Sequence, residues 1–116
     1  MITLYGIPNC TTVKKARAWL AQQGVAYQFH DFKKAGVPAA SLAAWMDAVG
    51  GERLLNRQGT TWRKLAPEQQ ALAHDAAGAA ALMQAHPSLI KRPVVQWRGT
   101  AVSVGFDAVD WAQRLG

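Results

Sequence analysis

The first 30 residues read as strand, helix, strand, and that order leaves few folds open. Ile2-Thr3-Leu4-Tyr5 alternates loosely in polarity and stops at the turn-forming run Gly6-Ile7-Pro8-Asn9. Val13, Ala16, Trp19 and Leu20 then recur at helical spacing, and Gly24 closes the helix. Val25 to His30 is rich in aromatic and β-branched residues, which suits a second strand. Two strands joined by a helix in so short a stretch form a βαβ unit, so they should pair in parallel.

The middle of the chain is helical. Pro38 suits a first helical turn, Leu42, Trp45, Met46 and Val49 mark one face, and Gly50-Gly51 ends that helix. A short turn at residues 52–55 leads into the polar stretch 56–63, which reads as a loop. Pro67 opens another helix, and the alanine-rich run 75–85 forms a third, stopped by His86-Pro87. Residues 94–97, 98–100 and 101–104 read as strand, turn and strand of a hairpin, and Ala108, Trp111, Ala112 and Leu115 finish the chain as an amphipathic helix. The plan is βαβ, a helical insertion, then ββα.

Length and composition fit one folded domain of 116 residues, half of them apolar and 17% charged. No stretch approaches the roughly 18 consecutive apolar residues of a membrane span. The N-terminus lacks a basic segment followed by an apolar one, and a single cysteine cannot form an internal disulfide. The expected location is therefore the cytoplasm. The net charge of +6 suits nucleic acid or a small anion such as glutathione or an oxyanion. Its largest groups, Lys14-Lys15-Arg17, Arg63-Lys64 and Lys91-Arg92, are well separated, so charge alone does not choose a partner.

Cys10 lies between the first strand and the first helix, where backbone N–H groups are unpaired and the helix dipole is positive. Both favour a thiolate over a thiol. Thr11 and Thr12 add hydroxyls that could cap the helix or bond the sulfur, and Lys14 adds positive charge. The alternative is a buried, inert cysteine, for which a turn beginning Gly-Ile-Pro-Asn is a poor setting. Lys91-Arg92-Pro93 directly precedes the strand at Val94, which would project Arg92 from the sheet end. Its guanidinium suits carboxylates and oxyanions. From this segment alone, a solvated basic pair is the plainer reading.

Three motifs in order resemble the ArsC/Spx family, and most of all its YffB branch. Residues 6–16, Gly-Ile-Pro-Asn-Cys-Thr-Thr-Val-Lys-Lys-Ala, are similar to the family's active-site loop. Leu54-Leu55-Asn56 with residues 59–65, Gly-Thr-Thr-Trp-Arg-Lys-Leu, resembles the branch's central motif, and Ile90-Lys91-Arg92-Pro93 resembles the late arginine–proline motif. The resemblance implies a thioredoxin-like α/β core at 1–36 and 87–116, with a four-stranded mixed sheet and a helical insertion at 37–86. It also implies that Cys10 is the nucleophile, that Arg92 binds anions beside it and that Pro93 is cis, facing the cysteine.

Departures from the family pattern bear on the substrate. Arsenate reductases of the family place three arginines around the cysteine. Here Asn56 takes one expected place with Arg57 offset by one, and residues 104–106 hold no arginine, so only Arg92 transfers. The Spx regulators often carry Cys-x-x-Cys, whereas position 13 is Val. The expected function is thus a glutathione-dependent thiol–disulfide reductase with Cys10 and Arg92 as its catalytic pair. Asn9, Thr11, Thr12, Lys14, Arg57, Arg63, Lys91 and Pro93 are expected to bind substrate or glutathione.

Its expected partners are glutathione as co-substrate and a small-molecule or protein disulfide, with no metal and no membrane. Arsenate reduction with glutathione and glutaredoxin is one alternative, and an Spx-like regulator binding RNA polymerase is another. The basic residues around Trp62 lack a continuing stripe, which argues against nucleic acid. The three histidines share no metal-ligand spacing and read as structural or solvated, and the five tryptophans as packing.

Overall fold

The computed structural model describes residues 1–116 and divides into two units, Met1–Ala35 with Arg92–Gly116, and Gly36–Lys91. In chain order the elements begin β1 (Ile2–Gly6), α1 (Thr11–Gln22), β2 (Tyr27–Asp31) and the single turn α2 (Phe32–Ala35). Then follow α3 (Ala39–Val49), α4 (Gly51–Leu54), α5 (Thr60–Lys64), α6 (Pro67–Ala71) and α7 (Ala76–Ala85). The chain closes with β3 (Val94–Gln96), β4 (Val102–Val104) and α8 (Ala108–Leu115). No helix is long and apolar enough to cross a membrane.

The first unit is built on a four-stranded mixed sheet in the order β2-β1-β3-β4, the thioredoxin-like arrangement expected from the sequence. β1 and β2 pair in parallel, Leu4 opposite Phe29. β3 runs antiparallel to β1, Tyr5 opposite Val94, and forms a hairpin with β4. Strand side chains alternate between faces. Ile2 and Leu4 of β1 join Val95 of β3 and the adjoining Trp97 in one core, onto which α1 lays Val13, Ala16 and Leu20 and α8 lays Trp111. The edges of Trp97 and Phe106 meet Trp111 with ring centroids 5.1 and 4.8 Å away. Such pairs add about 0.5–1.5 kcal/mol each beyond burial. The hairpin is tied by a hydrogen bond from the Trp97 indole Nε1 to the Ser103 hydroxyl, 2.9 Å long and buried.

The second unit packs its own apolar set, including Leu42, Trp45, Leu54, Leu82, Met83 and Ile90, all nearly inaccessible to solvent. Asp75 caps α7 by accepting from the Gly78 N–H at 2.7 Å. The Gln84 side chain donates to the Val37 carbonyl at 2.7 Å, fastening α7 to the segment before α3.

Two expectations need correction. The stretch 56–63 is not a plain loop, because residues from Thr60 onward form α5. Its Trp62 carbonyl is satisfied by the Leu65 N–H and by the Gln70 side chain at 3.1 and 3.0 Å. The short turn expected at 52–55 is a single helical turn over Gly51–Leu54. The helical unit also ends at Lys91 and not at residue 86. The Asn56 N–H donates to the Leu89 carbonyl at 2.7 Å and the Lys91 N–H to the Leu54 carbonyl at 2.8 Å. With the Leu55–Ile90 bridge these bonds bind residues 87–91 to the helices.

Candidate active site

β1 ends at Gly6, Ile7 is buried, and Pro8 and Asn9 turn the chain outward at the surface. Cys10 is then the N-cap of α1, with extended backbone angles of φ −127° and ψ 125°. Its carbonyl accepts the first intrahelical bond from the Lys14 N–H at 2.9 Å. No side-chain cap closes this helix end, and no acidic residue occupies its first turn. The orphan N–H groups are thus left to act on the charge of the sulfur. Cys10 is half-buried and packs against the margin of the core.

Sheet register brings Arg92 to this place. Because β3 runs antiparallel to β1 with Val94 opposite Tyr5, the residues just before Val94 pass the C-terminal end of β1. The Arg92–Pro93 peptide is cis, and the Pro93 carbonyl accepts from the Gly105 N–H at 2.9 Å. The half-buried Arg92 side chain hydrogen-bonds the sulfur of Cys10.

Burial is the largest influence on the Cys10 thiol and raises its pKa. The Val13 N–H, the Arg92 hydrogen bond, the Arg92 charge and the Thr12 N–H act in the opposite direction. Together they outweigh burial and leave the thiol below its ordinary pKa. A larger thiolate fraction at neutral pH, with a guanidinium beside it, is the arrangement of a nucleophile that meets anionic or disulfide substrates.

The other predicted residues divide between the two units. Asn9, Thr11, Thr12 and Lys14 are exposed on the turn and the first helical turn, and Pro93 is buried beside Arg92 in sequence. Thr12 acts on the sulfur through its backbone N–H. Arg57, Arg63 and Lys91 belong to the helical unit. Arg57 bonds Glu52 at 3.3 Å and lies over the Trp62 ring at 5.0 Å, while Arg63 and Lys91 are exposed. No group of three or more His, Cys, Asp or Glu side chains is placed to hold a metal ion. The residue that sequence reasoning missed is Val13, whose backbone N–H is the largest of the influences favouring the thiolate. Counting from Cys10 as N-cap would have found it, since the third helical residue is where a cap's acceptor finds its donor.

Comparison with known proteins finds the same fold and a family for the chain. The solved structure of the YffB protein is 46% identical, with both chains covered in full and a TM-score of 0.94. An arsenate reductase (ArsC) related protein from Brucella melitensis is also 46% identical. That match covers 97% of this chain and 92% of the other, with a TM-score of 0.75. The global transcriptional regulator Spx of Streptococcus agalactiae is 30% identical over 97 residues, covering 82% of this chain and 69% of that protein. The model of the ArsC family matches residues 5–113, from the end of β1 into α8, and the chain belongs to the ArsC family.

Proposed function

We propose that the protein is a glutathione-dependent thiol–disulfide reductase working through Cys10 alone. The observation that carries this reading is a thiol held below its ordinary pKa beside Arg92, in a chain with no second cysteine. Membership of the ArsC family and likeness to an arsenate reductase related protein support thiol-based reduction in general. The Cys10 thiolate attacks one sulfur of a disulfide R–S–S–R′, forming Cys10–S–S–R and releasing R′S⁻, which takes a proton from solvent. A glutathione thiolate then attacks the Cys10 sulfur and expels RS⁻. A second glutathione thiolate attacks the bound glutathione, freeing the Cys10 thiolate and forming glutathione disulfide. The two electrons that reduce R–S–S–R′ come from the two glutathione thiols.

Arg92 stabilises the thiolate before attack and binds a glutathione carboxylate once the sulfur is in a disulfide. Lys14 supports the same charge more weakly. Asn9, Thr11, Thr12 and Pro93 contact the incoming group. The substrate is a small-molecule or protein disulfide, and the reducing glutathione pool of the cytoplasm is the matching compartment. In a glutathione-coupled disulfide assay, Cys10→Ser should abolish turnover. A Ser variant that keeps its activity sinks the mechanism.

Two other readings rest on the relatives. The name of the Brucella melitensis protein favours arsenate reduction with glutathione and glutaredoxin, which Cys10-dependent arsenite production would establish. Against it stand Asn56 and the lack of arginine at positions 104–106, leaving Arg92 alone of the family's three arginines. Likeness to Spx favours a regulator that binds RNA polymerase, and copurification unaffected by Cys10→Ser would establish that instead.

A further inference from the structure

Gly6 is a glycine without a conformational reason. It is the last residue of β1, paired with Asp31 of β2, and its φ is not among the positive values found at Gly24, Gly36, Gly50, Gly99 and Gly105. Any residue could adopt its backbone, and glycine weakens a strand by its entropy and by packing nothing. What position 6 lacks is room. A Cβ there would stand 2.9 Å from Cγ2 of Val13 and 3.5 Å from its Cγ1.

Val13 has no easy way to give. It is fully buried in the core with Leu4, Ala16, Leu20 and Val95, and a valine in a helix has one strongly preferred rotamer. Pressure on its methyl groups therefore passes to the backbone of the first helical turn, which carries the N–H facing Cys10. Close-packed interiors transmit such displacements rather than absorbing them.

We propose that Gly6 is a positioning residue for the Cys10 site: an empty position 6 lets Val13 seat against the end of β1, and that seat holds the Val13 N–H at the Cys10 sulfur. This inference rests on Cys10 being the reactive group, as in the proposed function. The Val13 N–H is the largest of the influences favouring the thiolate, so a shift of the first turn away from the sulfur weakens the dominant one. Gly6 touches no substrate and acts only through Val13.

The test is the pH profile of Cys10 alkylation by iodoacetamide in the wild type, Gly6→Ala, Val13→Ala and the double variant Gly6→Ala/Val13→Ala. Gly6→Ala should move the profile to higher pH and slow alkylation at neutral pH severalfold. The double variant should return it to that of Val13→Ala, because the methyl groups in the way are gone. A Gly6→Ala profile that matches wild type overturns the inference, as does a double variant as displaced as Gly6→Ala alone. If Gly6→Ala does not fold, a double variant that folds with the Val13→Ala profile supports the same contact, and one that also fails to fold overturns it. A wild-type profile at the ordinary thiol value defeats the reading of Cys10 itself, and so separates that failure from failure of the role given to Gly6.

Discussion

The Arg92 side chain hydrogen-bonds the sulfur of Cys10 and places its charge beside it, across a join made by the antiparallel pairing of β1 and β3. Both interactions favour the thiolate, and Arg92→Ala removes both. The variant's alkylation profile should therefore shift to higher pH, with slower alkylation at neutral pH. Arg92→Lys keeps a charge without the planar fork and should fall between the two. An Arg92→Ala profile superimposed on wild type would show that the helix end alone sets the thiol's reactivity.

The same lowered pKa has a consequence for stability. Folding favours the Cys10 thiolate, so its contribution is fully present above the pKa of the unfolded thiol and disappears as pH falls through the lower folded value. In reducing buffer, the stability difference between wild type and Cys10→Ser should move in favour of wild type from mildly acidic to alkaline pH. Urea denaturation at several pH values measures it. A difference that stays constant across the range contradicts a preferentially stabilised thiolate.

Much of this arrangement was legible before any coordinates. The βαβ start, the hairpin and the last helix follow from period and turn residues, because those elements bury one face against a sheet and must alternate accordingly. Cys10 at a helix N-terminus was legible for the same local reason. The meeting of Arg92 with Cys10 was not, since it depends on β3 lying antiparallel beside β1, and only the resemblance of Ile90-Lys91-Arg92-Pro93 to a family motif anticipated it. The helix α5 escaped because its residues other than Trp62 are polar and the partner of its Trp62 carbonyl, Gln70, comes from the next helix. The boundary at Lys91 escaped because the Leu55–Ile90 bridge is a long-range backbone pairing with no local signature.

Ser103 is the one buried polar side chain of the hairpin, and its hydroxyl accepts the indole N–H of Trp97. Ser103→Ala keeps the volume close to that of serine but leaves the indole donor without this acceptor. The cost of stranding such a group is about 1–3 kcal/mol. Urea denaturation should show that loss. The Ser103→Thr variant, which retains the hydroxyl, should lose less if its extra methyl is accommodated. A Ser103→Ala variant as stable as wild type would mean that the indole finds another acceptor.

Gly78 tests whether local propensity or packing decides in α7. Alanine is the better helix former by roughly 0.8–1.0 kcal/mol, so propensity alone predicts that Gly78→Ala stabilises the protein. Space predicts the reverse. A Cβ at position 78 would fall 1.8 Å from the carbonyl oxygen of Leu72 and 3.2 Å from Oδ1 of Asp75. The first of these is backbone and cannot rotate away, so the turn before α7 or the helix itself must move. That movement also disturbs the cap in which Asp75 accepts from the Gly78 N–H at 2.7 Å. Overpacking of this kind typically costs about 1–3 kcal/mol, which exceeds the propensity gain. Gly78→Ala should therefore unfold at lower urea than wild type, while Ala81→Gly, on an exposed face of the same helix, should lose only the propensity difference. A Gly78→Ala variant that gains stability would mean that the turn at Leu72 yields freely and that close approach is not why glycine occupies this position.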